Sequence, residues 1–127
     1  MEKLNKTILL ADDDYDYLFL VKFRLECAGF NIISANSQKE AEILIASSDY
    51  DAAVFDLMME NDDSGFILAY KTKKLKPNIP VILTTAVAAE TGLSFNNENP
   101  WIKADLYLEK GVESEKLAEE LKRLLNI

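Results

Sequence analysis

The residues able to do chemistry fall in four short stretches. "LLADDD" (9–14) places Asp12 and Asp13 directly behind an apolar run. "VFDLMM" (54–59) ends a second apolar run on Asp56. "LTTA" (83–86) offers the hydroxyls of Thr84 and Thr85, and "YLEKG" (107–111) offers Lys110. Three carboxylates gathered at the edge of a core do not readily stay ionised together without a cation. Carboxylate oxygens are the preferred ligands of a small hard ion such as Mg²⁺, which takes few protein ligands and keeps several waters. A lysine ammonium can meet a carboxylate or a phosphoryl oxygen, and a threonine hydroxyl can hydrogen-bond an anion. An Asp nucleophile, a divalent ion, a Lys and a Thr are the parts needed to accept a phosphoryl group and hold it.

That chemistry requires the four stretches to meet, which the elements between them decide. "TILLA" (7–11) reads as a buried strand. Over 14–28, Leu18, Val21 and Leu25 recur at helical spacing, and Gly29 is expected to cap that helix. "NIISA" (31–35) is a second strand, followed by Ser37 as an N-cap with Glu40 three residues on. Ala41, Leu44 and Ile45 give that helix its inner face. "DAAVFD" (51–56) is continuously apolar up to its last residue and is expected to be a central strand. A third helix spans 64–76, capped by Asp63 or Ser64, with Phe66, Ile67 and Tyr70 among its apolar positions. A fourth strand spans 78–86, with Pro80 near its start, and a short fourth helix is expected at 87–94. A polar loop (95–103) leads to a fifth strand at 104–109. The last helix, 113–126, has Leu117, Leu121 and Leu124 inside and a Glu119–Arg123 pair outside.

Strands alternating with helices imply an α/β fold, a doubly wound five-stranded parallel sheet covered on both faces. Ligands of such sheets bind beyond the carboxyl ends of the strands, where strand order reverses. Asp12 and Asp13 follow the first strand, Asp56 ends the third, Thr84 and Thr85 end the fourth, and Lys110 follows the fifth. Asp14 and Asp16 are read differently, as a solvated helix start, where negative charge is favourable.

Composition narrows the function further. The 127 residues fit one domain, 1–127, with no output domain expected. The net charge of −8 argues against nucleic acid as a direct partner. The sequence has no histidine, which excludes His triads, His metal sites and His phosphotransfer on this chain. The single Cys27 is read as a small core or boundary residue and fits a reducing, cytoplasmic setting. No signal peptide or membrane span is expected.

As a set and in this order, the four stretches resemble the receiver domain of two-component response regulators (CheY-like). The resemblance covers about residues 5–126. It implies a flavodoxin-like (βα)5 fold with strand order 2-1-3-4-5. It makes Asp56 the phosphoryl acceptor and Asp12 and Asp13 the acidic pair for Mg²⁺, with Asp13, Asp56 and the Met58 carbonyl as direct ligands. Thr85 becomes the switch hydroxyl, Lys110 the phosphate-binding lysine and Tyr107 the aromatic switch. The donor is then a phosphohistidine on a histidine kinase or phosphotransfer protein. The signal leaves to a downstream protein through the fourth helix, fifth strand and last helix.

The sequence departs from the family pattern in three places. Gly111 replaces the proline that commonly follows the lysine, so a trans peptide is expected at Lys110–Gly111. The loop "MMENDDSGF" (58–66) is about one residue longer than usual and lacks proline. The span from Thr85 to Lys110 is also longer, and Trp101 within it is either a packing anchor or part of a partner surface. Met58 and Val87, the positions flanking the acceptor in the family pattern, are apolar, so slow self-dephosphorylation is expected. Two competing readings are a pseudo-receiver that binds proteins without phosphorylation, and a small enzyme on a similar sheet. An Asp-nucleophile phosphatase would usually need a second Asp where Met58 stands. A flavin carrier would need an anion-binding loop where "ADDDYD" (11–16) is itself anionic.

Overall fold

The computed structural model describes residues 3–85, 104–110 and 114–127. Its described elements are β1 (Thr7–Ala11), α1 (Tyr15–Cys27), β2 (Asn31–Ala35), α2 (Gln38–Ser47), β3 (Ala52–Asp56), α3 (Ser64–Leu75), β4 (Val81–Thr85), β5 (Leu106–Glu109) and α4 (Ser114–Leu125). The expected helix at 87–94, the loop at 95–103, Val87, Trp101 and the Lys110–Gly111 peptide lie outside the described residues. So does the fourth-helix part of the expected partner surface.

All five strands are parallel, in the order β2-β1-β3-β4-β5. The chain runs outward from β1 to β2, then returns across β1 to β3. The strand order therefore reverses at β1 and β3, whose carboxyl ends carry Asp12 and Asp56. Every residue of β3 and β4 is buried, as a central pair covered on both faces requires.

Strand alternation splits the core into two layers. Leu9, Phe55, Val81 and Leu83 pack with Ala41, Ile45, Leu68 and Ala69 on the side of α2 and α3. Ile8, Leu10, Val54 and Ile82 pack with Leu18, Val21, Leu25, Leu117 and Leu121 on the side of α1 and α4. Short polar devices fix the helix ends. Asp14 caps α1 by accepting from the Tyr17 N–H at 3.2 Å. Gly29 takes φ 106°, a conformation that suits glycine, while the Phe30 N–H reaches the Leu25 carbonyl and the Gly29 N–H reaches the Glu26 carbonyl. The Ser37 hydroxyl accepts from the Glu40 N–H at 3.1 Å and starts α2.

Four local expectations are corrected. Cys27 is exposed, because it lies about 200° round the helix from the buried Leu25. The buried face of α3 is Ser64, Gly65, Leu68, Ala69 and Thr72, while Tyr70 faces outward. Neither Asp63 nor Ser64 caps α3 with its side chain; the Ser64 hydroxyl instead donates to Gln38 Oε1 at 2.7 Å and accepts from the Asn61 N–H. Arg123 pairs with Glu120, one turn earlier on the helix, rather than with Glu119. No described helix is long and apolar enough to cross a membrane.

Candidate functional site

The carboxyl end of β1 leads straight into the site. Asp12 follows the fully apolar end of the strand and is 2% exposed, a burial that carboxylates accept only with partners. One carboxylate oxygen accepts from the Asp14 N–H at 2.9 Å, tying the acid into the turn that starts α1. The other partner is Lys110, whose ammonium lies 3.0 Å from both Asp12 oxygens. Asp13 is exposed beside it.

Asp56 ends β3 and is 5% exposed. Its own strand register pairs it with Thr84 of β4, while the Lys110 ammonium approaches Oδ2 at 3.4 Å. One carboxylate oxygen from each of Asp12, Asp13 and Asp56 lies within 4.8 Å of the others. The three acids named from sequence are thus brought into one cluster, with Lys110 against two of them.

The electrostatics follow from this crowding. Burial, and then the neighbouring Asp12 charge, push the Asp56 carboxyl from its ordinary 3.8 up to about 7; Lys110 opposes that rise. Burial also raises Asp12, against the pull of the Asp14 N–H and of Lys110. Lys110 loses hydration by burial, yet its two carboxylate partners hold its pKa above the ordinary value. One ammonium shared between two buried acids leaves negative charge over, and that is the condition for binding a further cation.

The loop after Asp56 is held tightly where it leaves the strand. The Leu57 N–H donates to the Thr84 carbonyl at 2.8 Å, and the Leu57 carbonyl accepts from the Gly65 N–H at 2.8 Å. Met58 then emerges, 39% exposed, with its N–H hydrogen-bonded to Asp56. Farther along, the Glu60 carboxylate accepts from the Gln38 N–H at the start of α2, at 3.0 and 3.2 Å. Asn61 and Ser64 both donate to Gln38 Oε1. The loop is therefore anchored on α2.

Thr85 is buried at the end of β4, and its carbonyl accepts from the Lys110 N–H at 2.7 Å. Val81, Leu83 and Tyr107 belong to one core layer, and Ile82 to the other. Alternation therefore puts Thr85 on the Tyr107 side and Thr84 opposite. The Thr84 hydroxyl approaches the Phe55 carbonyl at 3.5 Å. Tyr107 is half-buried in β5, and burial raises the pKa of its hydroxyl.

Two contributors escaped the sequence reading. Gly65 is one: a Cβ there would stand 2.6 Å from Leu57 Cα and 2.7 Å from the Asp56 carbonyl oxygen. Only glycine lets α3 approach β3 this closely, and a glycine inside a predicted helix was the available signal. Tyr17 is the other. Its ring lies under the Lys110 ammonium, 4.7 Å from the centroid. A tyrosine in an apolar helix pattern carries no signal of a partner 93 residues away in sequence (110 − 17).

Comparison with known proteins agrees with this geometry. The family model described as response regulator receiver domain matches residues 8–122. The phosphate regulon transcriptional regulatory protein PhoB of Pseudomonas aeruginosa is 30% identical over 124 residues, covering 96% of this chain and 52% of PhoB. This chain thus spans about half the length of that relative. A CheY-like response regulator receiver domain protein from Methanospirillum hungatei superposes with a TM-score of 0.81 at 27% identity, covering 95% of this chain and 94% of the other. The response regulator TrrA of Thermotoga maritima, solved in complex with Mg(2+)-BeF, gives 0.78 at 28% identity, over 94% and 98% of the two chains.

Proposed function

The chain belongs to the response regulator receiver domain family, and on that premise we propose that it accepts a phosphoryl group on Asp56 and passes the signal on by binding another protein. The observation that carries the reading is the cluster itself: Asp12, Asp13 and Asp56 within 4.8 Å of one another, with Lys110 on the two buried acids.

The donor set fits Mg²⁺. It is all oxygen, it carries surplus negative charge, and one of its acids is exposed and able to meet a partly hydrated ion. Asp13, Asp56 and the Met58 carbonyl would hold the ion directly, with Asp12 acting mostly through water. When bound, Mg²⁺ neutralises charge on the acids and on the phosphoryl oxygens. Its presence in the TrrA complex supports the same assignment here.

The residues of this chain supply the rest. Ionised Asp56 attacks the phosphorus of a phosphohistidine on a histidine kinase or phosphotransfer protein. A new O–P bond forms, the P–N bond breaks, and the imidazole leaves with its electron pair. Lys110 meets the incoming phosphoryl oxygens, and the Thr85 hydroxyl closes on them. Tyr107, on the same side of the sheet, follows Thr85 inward and shifts a two-state equilibrium of the surface that includes β5 and α4. Met58 offers no polar side chain to orient an attacking water, so loss of the phosphoryl group is slow. The pseudo-receiver reading is not favoured, since every acid the chemistry needs converges with its lysine.

Calorimetric titration with Mg²⁺ tests the assembly. Asp13→Asn and Asp56→Asn are each expected to weaken binding at least tenfold, a loss comparable to removing a charged ligand. Unchanged affinity in both would reject the site.

A further inference from the structure

We propose that Tyr17 is a positioning residue for Lys110, its ring face holding the ammonium over the acceptor. The inference rests on the reading of Asp56 as phosphoryl acceptor and adds a residue to that site.

Lys110 sits on a flexible four-carbon stem. Its backbone N–H is bonded to the Thr85 carbonyl, which fixes the main chain but not the end of that stem. Backbone geometry alone therefore leaves the ammonium free to wander. Among the described residues, three side-chain contacts define its place: Asp12 at 3.0 Å, Asp56 at 3.4 Å and the Tyr17 ring centroid at 4.7 Å. The first two are with acids that also serve a divalent ion and the phosphoryl group. Their charge is drawn away as the site fills. The ring quadrupole is the one attraction of the three that stays constant throughout, and Lys110 is buried enough for it to count, its side chain being 17% exposed.

Tyr17 is itself firmly placed. Its N–H donates to the Asp14 cap at 3.2 Å, and its ring packs against the core layer containing Leu18 and Val21. It thus couples the position of the lysine to the first turn of α1, the same turn that Asp12 enters through the Asp14 N–H. A packing role alone makes a different prediction. The difference is testable, because leucine preserves packing and removes the ring, while phenylalanine preserves the ring and removes the hydroxyl.

The experiment compares the rate of phosphorylation by acetyl phosphate with Mg²⁺ in the wild type, Tyr17→Phe and Tyr17→Leu, alongside the NMR shifts of the Lys110 ε-methylene protons. Tyr17→Phe is expected to stay within about twofold of wild type, and Tyr17→Leu to fall by about three- to tenfold. The ε-methylene protons are expected upfield in the wild type and in Tyr17→Phe, through the ring current, and unshifted in Tyr17→Leu. A Tyr17→Leu rate equal to wild type would overturn the inference alone. So would a Tyr17→Phe rate as low as that of Tyr17→Leu, or unshifted protons in the wild type, which needs no variant to fold. A wild type that neither gains a phosphoryl group nor binds Mg²⁺ would overturn the acceptor reading, and this inference with it.

Discussion

The Lys110 ammonium lies 3.4 Å from Asp56 Oδ2 while holding both oxygens of Asp12 at 3.0 Å. The lysine thus favours one acid and only partly offsets the burial of the other. Removing it leaves Asp56 with desolvation and the Asp12 charge, both of which favour its neutral form. Lys110→Met is expected to raise the Asp56 pKa above about 7 and to slow phosphoryl acceptance. NMR titration of the Asp56 carboxyl carbon reads the first effect; a lowered pKa would contradict the assignment of the lysine.

The raised pKa of Asp56 also fixes how stability varies with pH. A group whose folded pKa exceeds its unfolded value favours the folded state below the unfolded pKa, and that advantage is lost as pH rises through the folded value. For Asp56 the window runs from 3.8 to about 7, and Asp12 shifts in the same direction. Without Mg²⁺ the protein is therefore expected to lose stability as pH rises across this range. Asp56→Asn removes the charge and is expected to raise Tm by about 5 °C or more near pH 8, and by much less near pH 4. Thermal melts in the presence of a chelator decide it. An equal shift at both pH values would mean that ionisation of Asp56 is not what destabilises the fold.

Mg²⁺ affinity follows the same titration with the opposite outcome, since a ligating carboxylate must be deprotonated. Binding is expected to weaken as pH falls below about 7, the value to which Asp56 is raised. Calorimetry at three pH values checks this. Affinity independent of pH between about 5 and 8 would count against Asp56 as a ligand.

Gly65 gives a prediction in the folding of the site itself. Alanine is the better helix former, and on propensity alone Gly65→Ala would stabilise α3. The close approach wins instead, because the new Cβ meets backbone atoms of Asp56 and Leu57 that cannot turn aside. The variant is expected to lose about 1–3 kcal/mol, read from urea unfolding. A midpoint at or above wild type would show that α3 can move off β3 freely.

Met58 supplies a fifth test. Two residues after Asp56, the proposed acceptor, its side chain is 39% exposed and offers no polar group to a water. Polar replacements at Met58 and at Val87 are expected to speed loss of the phosphoryl group, by about tenfold, well below the full contribution of a general base. The decay of phosphoprotein followed by intact mass measures it, and an unchanged rate in the double variant would remove these positions from control of the lifetime.

Much of this architecture was legible because the informative signals were local. The apolar run before Asp12, the Ser37 cap and the helical spacing of Leu18, Val21 and Leu25 are each decided by neighbours in sequence, and the structure keeps all three. Asp12, Asp13 and Asp56 were readable together because a parallel sheet delivers strand ends to one side. What escaped depends on packing between distant segments. The inner face of α3 is chosen by how near β3 lies, so small Gly65, Ala69 and Thr72 turn in and Tyr70 turns out. Arg123 has two acids within reach on one helix, and a choice between Glu119 and Glu120 turns on rotamers that spacing does not specify. The cation–π contact of Tyr17 with Lys110 joins α1 to the end of β5, and neither residue type announces it.

The proposed function depends on Asp56 being the phosphoryl acceptor. Intact mass after incubation with Mg²⁺ and acetyl phosphate tests it most directly, with Asp56→Asn alongside. The expected result is the gain of one phosphoryl group in the wild type, none in the variant, and none in either when a chelator is added. Equal gain in the Asp56→Asn variant would contradict it, as would a wild type that neither gains a phosphoryl group nor binds Mg²⁺.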